Sequence, residues 1–458
     1  MNLKRFTEKH AGGKDFAPRP YKERKVTPFR MIAIWFAMAV SLVLFIESAD
    51  LFDSLTVGEI FVILIIAHTL LCVLMWFTQD MGIKYGIPFS VSLRPSFGYL
   101  GSIFPTFFRG IPGLFWFGYQ TWVGAEAINA LTSTVWGFSN ITLFILLMGA
   151  IQIIHTCFGI SAVSRLSNLA SPLLLAVMIY MLYALLTKNH VTIGSVFQMT
   201  GTGEGSYTWV SAILVYIGGW ITMALSISDI TRECKVEEED TKDFWKSTKK
   251  YMIAQWVGLV PVSAFFGTIG AIGVALTGEW NPISIMVKVI GPQNEIMLVI
   301  CLIFVLLATW ATNDTGNLYP AAYAFMSLVP KKINFALGVL IAGTLGLVIR
   351  PWAVGGNILT VITAIGYLLA PISGILIVDY YILRKRQLNV EELYHFGGQY
   401  KYWNNINPAG VIANIIGLVV SIPFWDYVFF VGLVIGGIVY YILMKTWIVK
   451  KYPQPEIK

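Results

Sequence analysis

Long apolar runs constrain this chain more than any other feature, because about 20 apolar residues can cross the hydrocarbon core of a bilayer as a helix. Inside a bilayer every backbone polar group needs a partner within the protein, so only helices and closed barrels can span it. Of the 458 residues, 56% are hydrophobic and only 12% are charged, against about 25% charged residues in soluble proteins. The sequence therefore predicts an all-α integral membrane protein.

Apolar windows of spanning length occur twelve times, and we interpret each as a transmembrane helix. Two of them are longer than a bilayer requires, and we expect these to be tilted or broken. The predicted spans lie near residues 30–50, 57–78, 103–131, 140–159, 167–187, 208–228, 251–277, 295–326, 333–350, 355–383, 409–424 and 427–449.

The positions of Lys and Arg predict the orientation. Nine lie in residues 1–30 and six in residues 232–250, whereas the loops on the opposite side offer only Lys188, Lys288 and Arg350. Because basic residues favour cytoplasmic loops, we expect a multi-pass protein of the cell membrane with both termini in the cytoplasm. The net charge of +7 follows from this topology and gives no reason to expect nucleic acid as a partner.

Signals for secretion, disulfides, metals and catalysis do not emerge. The first 29 residues are polar and basic and lack the apolar core of a signal peptide, so we expect a cytoplasmic tail. Cys72, Cys157 and Cys301 fall within spans and Cys234 in a loop, without metal-ligand spacing. No combination of residues resembles a catalytic motif, and we expect neither an enzyme nor a cofactor.

Three spans carry polar and aromatic residues that could meet a ligand. In the third, Trp116 and Gln120 lie four residues apart and share a helical face, so an indole for stacking stands beside an amide that can both donate and accept. Each tryptophan alone is more typical of packing or of the interfacial belt. In the eighth, Asn313 and Asn317 also share a face, with Thr312 nearby. We therefore predict one shared cavity.

The sixth span contains the pair Gly218 and Gly219, followed by Trp220. Two glycines weaken a helix, and transporters often build their sites from discontinuous helices. Close helix packing is an equally good interpretation of the pair. From the glycine pair alone, a broken sixth helix and close helix packing both stay open.

At several places the chain resembles the nucleobase-cation-symport-1 family, which includes cytosine, uracil, allantoin and hydantoin permeases. The similar segments occur in order from about residue 30 to 450. They are residues 82–89 (GIKYGIPF), 94–98 (RPSFG), 116–120 (WFGYQ), 229–232 (DITR), 312–320 (TNDTGNLYP), 379–380 (DY) and 388–394 (LNVEELY).

This resemblance implies a five-plus-five inverted repeat with broken helices 1 and 6 and two further C-terminal helices. It also implies inward symport of a small heterocycle with a cation by alternating access. The domains would be a tail at 1–28, a transporter domain at 29–450 and a tail at 451–458. Within the transporter domain, repeat one would cover about 29–187, repeat two about 208–383, and the extra helices about 409–449.

The resemblance also implies roles for single residues. Trp116 would stack on the substrate, Gln120 would hydrogen-bond to it, Trp220 would cover its other face, and Asn313 and Asn317 would supply amides. The 312–317 segment mixes features of cytosine and allantoin permeases, so the ring system stays open. A thiamine precursor is a further alternative, and so is a non-transporting sensor or channel on the same scaffold.

For the coupling ion, sodium and a proton stay as alternatives. The resemblance places sodium near Ala308 and Thr312, with carbonyl groups around Ala37 and Ser41. Here Ala311 stands where sodium-coupled relatives have a hydroxyl residue, which removes one oxygen ligand. Asp314 is the candidate proton carrier or additional ligand.

Further acidic candidates are Glu47, Asp50 and Glu126, although for Glu47 and Asp50 we favour a position at the extracellular mouth of the first span. The middle of the first span, residues 36–43 (FAMAVSLV), has neither glycine nor proline to mark a break. The expected partners are the heterocycle, the ion and the lipid bilayer, and we expect a monomer.

Overall fold

The computed structural model describes residues 16–328 and 332–457. Residues 1–15 of the predicted N-terminal tail and residue 458 of the C-terminal tail lie outside this range. The described residues form helices and connecting loops, with two isolated bridges and no extended strand among them. The prediction of an all-α protein is confirmed.

Fourteen helices account for the predicted spans and are numbered here in chain order. They are α1 Pro28–Ala39, α2 Leu42–Leu51, α3 Val57–Tyr85, α4 Ile103–Trp136, α5 Ile141–Cys157, α6 Ile160–Lys188, α7 Trp209–Leu225, α8 Phe244–Thr277, α9 Glu295–Asn313, α10 Tyr319–Leu328, α11 Phe335–Val348, α12 Ile358–Ile377, α13 Pro408–Ser421 and α14 Val428–Leu443. Shorter helices occupy the loops.

Length and apolar composition identify eight helical stretches of the described chain that could cross a membrane, and a ninth if α1 and α2 form one bent span. By this measure α13 and α14 belong to one stretch from Pro408 to Lys451, and α5 is apolar but shorter. The chain is therefore a multi-pass helical protein, and the number twelve stays a prediction.

The first span is broken between α1 and α2, whose axes differ by 55°. Ser41 has an extended backbone (φ −139°, ψ 135°), and its side chain accepts a hydrogen bond from the Val43 N–H at 3.3 Å. Such a cap is a favourable start for a new helix. The predicted interruption of this span is present, and a serine cap marks it in place of glycine or proline.

The sixth span is not broken at its glycine pair, and the prediction of a broken sixth helix is wrong. Helix α7 runs without interruption from Trp209 to Leu225. A Cβ atom at Gly218 would lie 3.0 Å from the Ile362 carbonyl oxygen and 3.6 Å from Gly366 Cα, both on α12. The glycine therefore lets α7 and α12 approach closely, as small residues do between membrane helices.

The eighth span changes its winding in the middle. Helix α9 ends at Asn313, a π-helical turn covers Asp314–Leu318, and α10 continues from Tyr319. Single π turns within helices often occur at functional sites. The turn coincides with the amide-rich segment and rotates the residues after it relative to those before it.

Helix α8 begins at Phe244, seven residues before the predicted position 251. Asp243 Oδ1 accepts hydrogen bonds from the backbone N–H groups of Lys246 at 3.1 Å and Trp245 at 2.8 Å. These bonds hold the pKa of Asp243 below its usual value, because they favour the ionised carboxylate. A polar first turn thus extends the helix beyond the apolar window.

Ion pairs join distant segments at one end of the bundle. Arg386 pairs with Asp80 at 2.7 Å, and the buried Arg384 pairs with Asp379 at 3.0 Å and with Glu456 at 3.1 Å. Through Glu456 the end of the chain is attached to the helical domain.

Replacing Gly218 by Leu tests the packing role of this glycine. Leucine has the higher helix propensity, but its side chain has no room against α12, so we expect the free energy of unfolding to fall by about 1–3 kcal/mol. Thermal unfolding in detergent measures this. The control is Gly194→Leu, because Gly194 is exposed and the nearest atom to its added Cβ is Thr192 Oγ1 at 4.0 Å. Equal or higher stability of Gly218→Leu would contradict the packing role.

Candidate functional site

A cavity of about 450 Å³ lies between the break of the first span, α4, α7 and the π turn. It brings together groups that the sequence places more than 200 residues apart. Of the predicted substrate-binding residues, Trp116, Gln120, Trp220 and Asn317 line it. Of the predicted cation-coupling residues, Ala37, Ser41 and Thr312 line it.

The two ends of the cavity differ in exposure. Arg30 lines one end and is exposed, whereas Glu47 lines the other and is only 1% exposed. The cavity therefore opens toward the side of the membrane domain on which α1 begins, and is closed beside α2.

The indole of Trp116 is fixed by its neighbours. Its ring makes edge contacts with Phe115 and Tyr119, with centroid separations of 5.2 and 6.0 Å. Its Nε1–H is buried and has no hydrogen-bond partner. Trp220 is half-buried and packs against Trp35 at 6.2 Å. A flat ligand would find two indoles in the wall of one cavity.

Gln120 and Thr312 connect the two predicted subsites. The Thr312 hydroxyl donates to the Ala308 carbonyl oxygen at 2.9 Å and lies 3.4 Å from Gln120 Oε1. Ala308 itself does not line the cavity. An ion at Thr312 and a ligand at Gln120 would thus contact two side chains that also contact each other.

Asn317 and Asn313 have different positions, although they share a helical face. Asn317 lines the cavity and donates its amide to Asn313 Oδ1 at 2.9 Å. Asn313 is fully buried behind it and donates to Phe117 O at 3.0 Å, Thr121 Oγ1 at 3.1 Å and Gln152 Oε1 at 3.3 Å. Of the two amides predicted to contact substrate, Asn317 therefore lies at the cavity and Asn313 lies behind it.

Asp314, a predicted cation-coupling residue, does not line the cavity. The π turn directs its carboxylate toward α5, where Oδ2 accepts from His155 Nδ1 at 2.7 Å and from Trp310 Nε1 at 3.1 Å. Sequence reasoning missed His155, which lies 159 residues away from Asp314. The lone histidine of an apolar span was the only available signal.

The break between α1 and α2 offers backbone oxygen atoms to the cavity. The Ser41 N–H donates to Ala39 O at 2.8 Å, rather than to Ala37 O as a continuous helix would require. Carbonyl oxygens freed in this way, with the Thr312 hydroxyl, are ligands that hard cations prefer. No group of three His, Cys, Asp or Glu suited to a metal occurs in the described part of the chain.

Glu47, one of the predicted acidic candidates, is buried and lines the closed end of the cavity. Its carboxylate reaches this place because α2 departs from the direction of α1. Gly219 and Thr222 of α7 and Thr315 of the π turn also line the cavity and were not predicted.

Comparison with known proteins identifies the family. The model of a permease family for cytosine/purines, uracil, thiamine and allantoin matches residues 18–448. The hydantoin permease of Microbacterium maritypicum is 38% identical over 438 residues, which are 95% of this chain and 89% of that protein. The chain belongs to this permease family.

Other relatives and solved structures agree with the assignment. The allantoin permease of Bacillus subtilis is 26% identical to this chain, and the match covers 94% of this chain and 93% of the Bacillus protein. A nucleobase-cation-symport-1 family transporter, solved in a closed conformation with bromovinylhydantoin bound, is 37% identical with a TM-score of 0.89 and 96% coverage of both chains. A sodium-coupled sialic acid symporter, 16% identical with a TM-score of 0.65 over 97% of this chain and 94% of its own, shares the fold. The chain is a secondary transporter, and its family does not consist of enzymes.

Replacing His155 by Ala tests whether Asp314 lies outside the binding site. The buried carboxylate would lose a hydrogen bond, so we expect a loss of stability of about 1–3 kcal/mol, measured by thermal unfolding. Ligand affinity of the folded variant should stay within about threefold of the parent permease. His190→Ala serves as a control, because His190 is exposed. A variant of normal stability that no longer binds ligand would place the pair in the site.

Proposed function

We propose that the permease imports a nucleobase or a related heterocycle by cation symport with alternating access. The convergence of two indoles, Trp116 and Trp220, with two amides, Gln120 and Asn317, in one cavity carries this proposal. Cavities that enclose small ligands usually have volumes of about 300–1,000 Å³. Indoles bind flat rings by stacking, and amides match the donor and acceptor of a lactam edge.

Sodium is the coupling ion that we propose, with a proton as the alternative. Freed carbonyls near Ala37 and Ser41 and the Thr312 hydroxyl supply oxygen ligands, one fewer than a hydroxyl residue at position 311 would allow. The contact between Thr312 and Gln120 would let the ion order a group that binds substrate. Such coupling is reciprocal and typically amounts to about 1–3 kcal/mol.

In the architecture that we propose, twelve spans form a five-plus-five inverted repeat with two extra C-terminal helices. The pair α1 and α2 would open the first repeat and α7 the second, and both line the cavity. Basic loops assign the N-terminal side to the cytoplasm of the cell membrane. The cavity would then be inward-open, since its exposed end is at Arg30. The inward-facing structure of Mhp1, 37% identical, has a TM-score of 0.90 to this chain over 95% of it and 94% of the solved chain.

Uptake of radiolabelled hydantoin, allantoin, uracil and guanine into proteoliposomes tests the transport proposal. We expect saturable uptake of at least one ligand, and accelerated exchange in counterflow, which a sensor would not show. Trp116→Ala and Asn317→Ala should each lower the affinity at least tenfold, because stacking and amide contacts are each worth about 1–3 kcal/mol. Trp136→Ala is the control, since Trp136 is 72% exposed. Near-normal uptake by folded Trp116→Ala or Asn317→Ala would refute the residue assignment.

A separate experiment identifies the ion. Proteoliposomes with either a sodium gradient or a proton gradient are compared, each at zero membrane potential. We expect uptake to follow the sodium gradient, and Thr312→Val to raise the sodium concentration for half-maximal uptake at least fivefold, because one oxygen ligand is lost. Thr187→Val is the control, since Thr187 is exposed at the end of α6. Uptake driven by the proton gradient alone would show that the alternative ion is used.

A further inference from the structure

Glu47 is the buried acidic residue of the cavity wall. It lies on α2 and is 1% exposed. One carboxylate oxygen, Oε1, lies 3.0 Å from the position that a Cβ atom would take at Gly219, so α7 leaves space for the carboxylate. The other oxygen, Oε2, is buried and has no hydrogen-bond partner.

Among the described residues, the neighbours of Glu47 include no cationic group that pairs with it. The charged group that acts on it is Asp50, which has the same sign. The neighbouring hydroxyls of Ser48 and Tyr216 bond to each other at 2.6 Å. Arg30, at the open end, donates to Lys25 O at 3.3 Å.

A buried carboxylate oxygen without a partner is costly, so its presence in a binding cavity points to a ligand that supplies the missing donor. The cavity then has two chemically different sides. The amides of Gln120 and Asn317 each offer a donor and an acceptor, whereas an ionised carboxylate only accepts. A carboxylate binds best to two parallel N–H groups.

We propose that Glu47 contacts the substrate and selects heterocycles that present two adjacent N–H donors, a guanidine-like or urea-like edge. Guanine has this edge at its ring N–H and amino group, and allantoin has it in its ureido group. Uracil and hydantoin lack it, since the ring holds a carbonyl group between their two N–H groups and these N–H bonds point away from each other. This inference rests on the proposed function and narrows its substrate class.

Equilibrium binding of guanine, allantoin, uracil and hydantoin to the purified full-length permease tests the proposal. The parent permease should bind guanine or allantoin at least tenfold more tightly than uracil and hydantoin. In Glu47→Gln one acceptor becomes a donor. The affinity for guanine and allantoin, the two donor-pair ligands, should therefore fall at least tenfold. Affinity for uracil and hydantoin should stay the same or rise, which a merely structural role of Glu47 would not produce.

Two further variants keep the test decisive. Glu126→Gln is the matched control, because Glu126 bonds to Asn281 outside this cavity and should leave the order of affinities unchanged. Glu47→Asp keeps the carboxylate but shortens its reach, so the donor-pair ligands should weaken while still binding more tightly than in Glu47→Gln. If Glu47→Gln does not fold, a weakening in Glu47→Asp confined to donor-pair ligands supports the proposal.

Three results would overturn the inference. Equal or tighter binding of uracil and hydantoin by the parent permease refutes the donor-pair preference but leaves heterocycle transport intact. An equal change in affinity for all four ligands in folded Glu47→Gln or Glu47→Asp would mean that Glu47 acts in ion coupling or in folding and does not select the ligand. Binding of none of the four ligands by the parent permease refutes the proposed function as well.

Discussion

Hydrogen bonding of the backbone in an apolar solvent is the constraint on which this architecture depends. A helix in hydrocarbon satisfies its own carbonyl groups, so it can depart from regular winding only where protein, solute or an ion replaces the lost partners. Two departures, at Ser41 and at Asp314–Leu318, border the same cavity. The backbone groups that can bind an ion are therefore found where the winding is irregular.

Irregular winding also separates side chains that a regular helix would place together. Asn313 and Asn317 are one turn apart, yet the first lies in a buried hydrogen-bond network and the second reaches the cavity. Asp314 is directed away from the cavity and toward His155. A rigid network behind Asn317 gives it a defined orientation, which a binding amide needs if it is to favour one ligand edge over another.

Much of the fold and part of the site could be predicted from the sequence. Hydropathy located the helices, and the four-residue spacing of Trp116 and Gln120 put both on the face of α4 that lines the cavity, because α4 is regular there. The glycine pair at Gly218 could not decide between a break and close packing, since glycine serves both. The positions of Glu47 and His155 depend on contacts between helices far apart in sequence, and no local pattern encodes such contacts.

The most direct test of a cavity shared by ligand and ion is thermodynamic linkage in the purified permease. Intrinsic tryptophan quenching gives ligand affinity at several sodium concentrations and two pH values, and sodium affinity at several ligand concentrations. The ligands to be tested are hydantoins, allantoin and nucleobases. For at least one of them, we predict that sodium raises the ligand affinity and the ligand raises the sodium affinity by the same factor, about 5- to 150-fold. Saturable quenching that is independent of both sodium and pH would contradict the account.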